Sequence, residues 1–443
     1  MSPENKQSYY FCKKPLLCGF LLCLLSISTT WAQRVRDCAF SPVYQQHVQK
    51  IKGAAVRRQA FEDSIQAFVE QRKNRGGRTA DRIIRIPVVV HIIHNTADSN
   101  RIGGTGNANI SVAQIESQIR VLNEDYRRQE GTRGYNTNPV GADMEIEFYL
   151  ANRDPNGNPT NGIVRRYRNQ AVYNIQSDLE TVSALSYWPS NRYLNIWVLP
   201  DIRNYLGYGQ FPASTAVEGL DAYYEDFPQT DGVFIAHQYF GDTGNLADEA
   251  YSYGRTLTHE VGHWLGLIHT WGDEYCGTDY CDDTPPTESA NNTRFCNDRY
   301  STCVSGQSTR NMIENFLDYS PDACMNTFTL DQKNRVRAVL ELSPRRRQLV
   351  ATTNLLEETE KLVLKVYNHP IRTQTITFEA TFKGIQPIEY SLLDLQGHVV
   401  YSARQSSQPS SIFSISGVHL APAVYVLRFT AGTETHSTRL VVQ

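Results

Sequence analysis

The sequence predicts an α/β (α+β) domain with a twisted mixed sheet and one motif-bearing helix, followed by a small all-β sandwich. Three observations predict it. Runs rich in β-branched residues, beginning with 84–93, alternate with segments of helical period. One helical segment, 254–267, carries His and Glu at one-turn spacing. From about Lys361 onward the chain is written in short strands separated by turn signals. A length of 443 residues is too great for one ordinary compact unit, so two folded domains are expected beside processed segments. A net charge of −3 gives no case for nucleic acid or for an anionic membrane as partner.

Residues 1–32 read as an export signal: Lys6, Lys13 and Lys14 precede a short apolar core, Leu16 to Ile27, and Thr30-Trp31-Ala32 offers a cleavage site. A spanning helix needs about 20 apolar residues, more than this core supplies, and no other segment qualifies. The mature protein is therefore expected to be secreted, extracellular or at a cell surface. Residues 33–78 are polar, helical in look across Val43 to Gln71, and end in the basic run Arg72-Lys73-Asn74-Arg75-Gly76-Gly77-Arg78. They read as a prosegment closed by a site for an arginine-directed protease; a solvated linker is the plainer alternative.

The first folded domain is expected over 79–345. Ile84 to Ile93 reads as a buried strand, and Ile115, Ile119 and Leu122 make 112–126 an amphipathic helix. Strands are expected at 144–150, 193–199 and 232–236, and helices at 254–267 and 329–342, the last with Thr329 and Gln332 forming a capping box. Residues 346–360 are expected as a linker opened by Ser343-Pro344-Arg345-Arg346-Arg347. Residues 361–443 form the β-sandwich, with strands at 362–366, 375–382, 390–393, 399–402, 424–429 and 438–442.

Chemistry concentrates in His259-Glu260-Val261-Gly262-His263-Trp264-Leu265-Gly266-Leu267-Ile268-His269. His259 and His263 lie one helical turn apart and project from one face onto a shared metal. Gly266 can take the left-handed conformation that ends the helix and swings His269 back toward it. Three neutral His leave one tetrahedral position open, as in a catalytic zinc site, and Glu260 beside the first ligand is placed to act as general base. A zinc kept only for structure would be closed and would not need Glu260.

Of nine Cys, five crowd into 276–324: Cys276, Cys281, Cys296, Cys303 and Cys324. In an exported chain this implies disulfides pinning a long loop region, with one thiol left over and several pairings allowed.

The extended His motif resembles the metzincin clan of zinc peptidases. Thr258, Trp264-Leu265-Gly266-Leu267, Asp283-Thr284-Pro285, Asn315-Phe316-Leu317-Asp318-Tyr319 and Cys324-Met325-Asn326 narrow the resemblance to the pappalysin family, across about residues 80–342. It implies a metzincin-like zinc endopeptidase that acts on proteins or peptides and is made as a latent zymogen. Leu317 stands where the family has Met, a volume-conserving exchange beneath the metal, and Met312 reads as ordinary core. Tyr319 is then a donor to the oxyanion, with a buried structural Tyr as its alternative.

The resemblance further implies disulfides Cys276–Cys303 and Cys296–Cys324, and calcium held by Asp279, Asp283 and Thr284 near Asp282; solvated turn chemistry is the alternative for any one of these. It also implies a latency role for Cys38, whose thiolate would occupy the open metal position, against an unpaired prosegment thiol. Asp318 and Asp322 are expected near the pocket for the residue after the scissile bond, where an acid would favour Arg or Lys, although Ala323 offers no charge.

Val366-Tyr367-Asn368-His369-Pro370, Tyr390-Ser391-Leu392-Leu393-Asp394-Leu395-Gln396-Gly397-His398-Val399-Val400 and Leu420-Ala421-Pro422-Ala423-Val424-Tyr425-Val426-Leu427 resemble the sorting domain of type IX secretion cargo. Ala423 replaces the family's usual Gly, and His369 interrupts its Asn-Pro pair. The resemblance implies passage through the periplasm and outer-membrane secretion machinery as a partner. A substrate-binding accessory module is the alternative.

Overall fold

A computed structural model describes residues 37–50, 53–74, 83–212, 227–246, 249–357 and 362–443, except 368, 373–374, 383–385 and 409–410. Of two compact units, Met1–Arg34 lies outside these residues, and the expected export signal with it. Residues 75–78 of the basic run lie outside them too.

Two helices, α1 (Phe40–Lys50) and α2 (Ala54–Asn74), precede the sheet. Strand β1 (Ile84–His94) is its spine, and its residues are buried on both faces apart from Arg85. One edge of β1 is shared by two strands in succession, β2 (Ile146–Leu150) on its first half and β3 (Ile163–Tyr167) on its second. Its other edge carries β4 (Leu194–Leu199), then β6 (Gly232–Ala236). All these pairs are parallel, as the near-continuous apolar runs require of strands covered on both faces. The last strand, β5 (Gly207–Gly209), runs antiparallel to β6 and makes the sheet mixed, as expected.

Helix α3 (Val112–Tyr126) is capped by the Ser111 side chain and buries Ile115, Ile119 and Leu122. The motif helix α5 (Arg255–Trp264) packs beside it, with the Tyr126 hydroxyl donating to the Thr258 carbonyl at 3.1 Å. A buried contact joins the same helices: Arg255 meets Asp125 at 3.1 Å, and Thr258 donates to that carboxylate at 2.8 Å. The contact ties the helix pair together, and burial, opposed by Arg255, raises the Asp125 pKa to about 6.

Among the elements that escaped the pattern reading are β3 and a helix, α4 (Ile175–Ser183). β3 reads Ile-Val-Arg-Arg-Tyr, which lacks alternation because only its first part is covered; pairing with β1 makes it a strand. Helix α4, capped by Asn174, is short and buries only Ile175, Val182 and Ser183. The capping box of α6 (Leu330–Leu342) is present as read.

The expected linker is largely a helix. α7 spans Pro344–Glu357, so a linker over 346–360 is corrected to a helix that reaches Glu357. Arg345 and Arg346 are not a solvated basic run. Both reach Asp231, which is fully buried at the start of β6: Arg346 donates twice, at 2.8 and 2.9 Å, and Arg345 through Nε. Arg346 also lies over the Trp264 ring at 3.7 Å and donates to the Trp264 carbonyl at 3.1 Å, while the Trp264 indole donates to Asp231 at 2.8 Å. Charges that look solvent-bound in one dimension here neutralise a carboxylate beneath the end of α5.

The C-terminal region forms two antiparallel sheets. One orders β13 (Ser411–Ile415), β10 (Ile376–Thr381) and β9 (Val363–Val366); the other orders β12 (Val399–Gln408), β11 (Gln386–Leu393), β14 (Ala423–Ala431) and β15 (Glu434–Val442). Phe378, Tyr390, Phe413 and Phe429 pack together as the core of the expected sandwich. β13 was missed because its Ser-rich flanks resemble a turn.

Candidate metal centre

Helix α5 ends where the motif needs it to. Leu267 N–H donates to the Gly262 carbonyl and Gly266 N–H to the His263 carbonyl, both at 2.9 Å, with Gly266 at φ +90°. These are the two bonds of a Schellman cap, and they reverse the chain so that His269 returns to the helix. A Cβ at Gly266 would also lie 2.6 Å from Val339 Cγ2.

The Nε2 atoms of His259, His263 and His269 lie 3.1, 3.1 and 3.2 Å apart. Each ring anchors its other nitrogen: Nδ1 of His259 on the Phe316 carbonyl at 2.7 Å, of His263 on the Leu267 carbonyl at 2.9 Å, and of His269 on the Asp273 carboxylate at 2.5 Å. Those oxygens only accept, so each Nδ1 carries the hydrogen and each Nε2 presents a lone pair. Burial holds His263 neutral, with its pKa down at about 3. Three convergent lone pairs cannot satisfy one another. They fit a tetrahedral cation with metal–nitrogen bonds of about 2.0–2.1 Å, which sets the nitrogens ~3.3 Å apart.

Glu260 is buried on the adjoining face of α5. The strand above it is shaped to admit it: a Cβ at Gly207 would lie 2.6 Å from Glu260 Cγ, and one at Gly209 only 2.0 Å from the Glu260 carbonyl oxygen. β5 is therefore a glycine strand because α5 passes directly beneath it.

Cys38 completes the cluster. Its Sγ and the three imidazoles lie within 4.8 Å of one another, the one such group of His, Cys, Asp or Glu among the described residues. The thiol donates to Glu260 Oε2 at 3.2 Å, and burial followed by that carboxylate pushes its pKa well up. Residues 37–39 lie along the free edge of β5: Leu206 N–H donates to the Asp37 carbonyl at 2.9 Å, and Ala39 N–H to the Gly207 carbonyl at 3.1 Å. Tyr319 stands across from this segment, its hydroxyl accepting from Cys38 N–H at 3.1 Å, with burial pushing its pKa well up.

The floor is made by Phe316 and Leu317, with Leu317 Cδ2 3.1 Å from where a Gly262 Cβ would stand. Leu317 is fully buried. Met312 lies away from the imidazoles, its sulfur accepting from Asn315 at 3.4 Å.

The acidic loop gathers only in part. Thr284 donates to both Asp279 oxygens at 2.8 and 2.9 Å, and burial raises the Asp279 pKa to about 7. Asp283 turns away to accept from Asp331 N–H at 2.9 Å in the first turn of α6. The expectation that Asp322 faces a substrate pocket is corrected. It is fully buried and accepts from the Tyr253 and Arg255 N–H groups at 3.0 and 3.1 Å, so it caps the start of α5. Asp318 is likewise occupied, by Asn291 N–H and the Ser320 hydroxyl. Cys276 is joined to Cys303 and Cys296 to Cys324; Cys38 and Cys281 are free thiols, both buried.

Three partners were not read from sequence. Asp273 follows His269 by four residues, a spacing that would have flagged it as the anchor of that ring. Trp271 stacks on His269 at 4.3 Å, and Phe40 on His263 at 4.3 Å; neither has a local signal.

The model of the Peptidase_M43 family, described as pregnancy-associated plasma protein-A, matches residues 178–341. An extracellular metalloprotease of Sordaria macrospora is 31% identical over 303 residues, 68% of this chain and 86% of its own. The chain belongs to this peptidase family. Another extracellular metalloprotease, of Colletotrichum graminicola, is 32% identical over 268 residues, 59% of this chain and 80% of its own. Among solved structures, a promirolysin mutant of Tannerella forsythia superposes with TM-score 0.57 at 35% identity, covering 72% of this chain and 99% of that one. Mature mirolysin of the same organism, in complex with a cleaved peptide, gives 0.51 at 38% identity over 62% of this chain and 98% of that one. Family and fold thus agree with the His cluster and the mixed sheet.

Proposed function

We propose that the chain is a secreted zinc endopeptidase of the pappalysin type, made as a latent zymogen, with His259, His263 and His269 as metal ligands. The observation that carries the reading is the convergence of three Nε2 lone pairs at 3.1–3.2 Å beside the buried Glu260 carboxylate. A bound zinc supplies Lewis acidity and lowers the pKa of a water to about 7. Glu260 accepts a proton at Oε2 and returns it to the leaving amine. Tyr319, released from the Cys38 backbone, turns its hydroxyl to donate to the oxyanion of the scissile carbonyl. β5 offers its edge to an extended peptide, as it does to residues 37–39.

Cys38 holds the zymogen latent, its sulfur beside the three imidazoles and its hydrogen on the catalytic carboxylate. Residues 1–32 are the signal, 33–78 the prosegment, and the catalytic domain runs from 79 through α7. Asp279 and Thr284 bind calcium, which would relieve the cost of a buried Asp279 carboxylate, while Asp283 stays on the Asp331 N–H and stands outside the ligand set. Residues 361–443 address the protein to outer-membrane type IX secretion machinery, and deleting them is expected to abolish export while leaving peptidase activity.

Cleavage of casein by the processed protein tests the central claim. Glu260→Ala is expected to lose about 10²–10⁴-fold in rate. Equal activity in the variant would end this mechanism.

A further inference from the structure

On β5 and its continuation, the side chains at 207, 209 and 211 share one face. The first two are glycines because α5 fills the space below them. At Phe211 a full aromatic side chain fits, and pairing with β6 still holds there, since Gln210 N–H donates to the Gly232 carbonyl at 3.0 Å. Phe211 therefore stands at the end of the covered stretch, on the metal side of the edge.

Phe40 fills the recess so formed. It is 3% exposed, lies flat on the His263 ring (4.3 Å between centroids, 9° between planes), and meets Phe211 at 5.5 Å and His269 edge-on at 5.9 Å. Arg58 of α2 lies over the Phe211 ring at 3.5 Å. Both occupants precede the basic run at 72–78, so both leave if the chain is cut there, and Phe211 loses partners on two sides. The His263 face does not depend on them, because that ring is held by its bond to the Leu267 carbonyl.

We propose that Phe211 and the face of His263 form an aromatic-accepting substrate subsite, two residues along the edge from the position of Cys38 at the metal. This rests on the peptidase reading above and adds a selectivity to it. A peptide laid along β5 would place a Phe or Tyr where Phe40 sits, gaining stacked and edge-to-face contacts that an alanine cannot make. Among the described residues the recess is lined by the Phe211 ring and the face of the neutral His263 imidazole, so the discrimination is by size and aromaticity.

The test is a fluorogenic peptide library with each of the three positions on either side of the scissile bond varied in turn, cleaved by the processed enzyme. At one position two residues from the scissile bond, Phe or Tyr is expected to exceed Ala by about tenfold in kcat/KM. In Phe211→Ala that ratio is expected to fall below about threefold, with Phe211→Leu intermediate. A profile indifferent to aromatic residues at every scanned position overturns the subsite, and needs no variant to do so. An unchanged ratio in either variant overturns the role of Phe211. No cleavage of any peptide sinks the peptidase reading and the subsite together, whereas cleavage with a flat profile sinks the subsite alone.

Discussion

Asp231→Ala is expected to be among the most destabilising single changes in the catalytic region. The carboxylate is 0% exposed and takes hydrogen bonds from Arg345, from both terminal nitrogens of Arg346 and from the Trp264 indole. Its removal leaves two buried guanidinium groups facing each other with no anion between them. Breaking a buried ion pair by deleting one partner costs about 3–5 kcal/mol, and the stranded indole adds about 1 kcal/mol. For a unit of this size each kcal/mol moves Tm by about 2–4 °C, so a fall of roughly 8–24 °C is expected. Tryptophan fluorescence reads it cleanly, because residues 362–443 contain no Trp and the signal reports the catalytic region alone. Arg346→Met on the Asp231→Ala background should cost less than on the native chain, since the double variant no longer buries an unpaired Arg346. A Tm shift under about 3 °C for Asp231→Ala, or strict additivity in the pair, would refute the buried triad and the placement of α7.

Gly266→Ala forces a φ of +90° on a residue with a Cβ and drives that carbon to 2.6 Å from Val339; at least ~1–3 kcal/mol of stability and a marked loss of zinc stoichiometry are expected by calorimetry and metal analysis. Asp279 has its folded pKa raised to about 7, above the unfolded value of 3.8, so the folded state binds the extra proton between those limits. The contribution of Asp279 to stability is therefore full below about pH 4 and is lost as pH rises through about 7. Asp279→Asn should flatten that decline in a series of melts, and added calcium should restore stability more at pH 8 than at pH 5. Cys38→Ala in the uncleaved chain removes the thiol at the metal cluster and is expected to raise activity of the zymogen severalfold in a peptide assay. Activity no higher than that of the native zymogen would count against the latency role.

Much of the site was legible because its geometry is local. His259, Glu260 and His263 are set by the pitch of one helix, and Gly266 announces its own left-handed turn; those four residues and His269 need nothing beyond chain stereochemistry to be read. The buried run 84–93, the helix at 112–126 and the capping box of α6 were likewise written in period and cap chemistry. Tertiary structure decided what depends on residues far apart in sequence. Charge signs alone cannot tell a solvated Arg345-Arg346 from one that neutralises a buried Asp231 more than 100 residues away. Asp322 looked like a specificity acid until the start of α5 was placed against it. Gly207 and Gly209 carry no motif, and only the fold, with Glu260 lying beneath them, shows why they are glycines. Phe40 and Phe211 carry no motif, and only the pairing of residues 37–39 with β5 brings them together over His263. Sequence determined the donor set of the metal centre, since ligand spacing is a property of the helix and its cap. The fold determined what surrounds it, because burial and charge pairing arise only when distant segments meet.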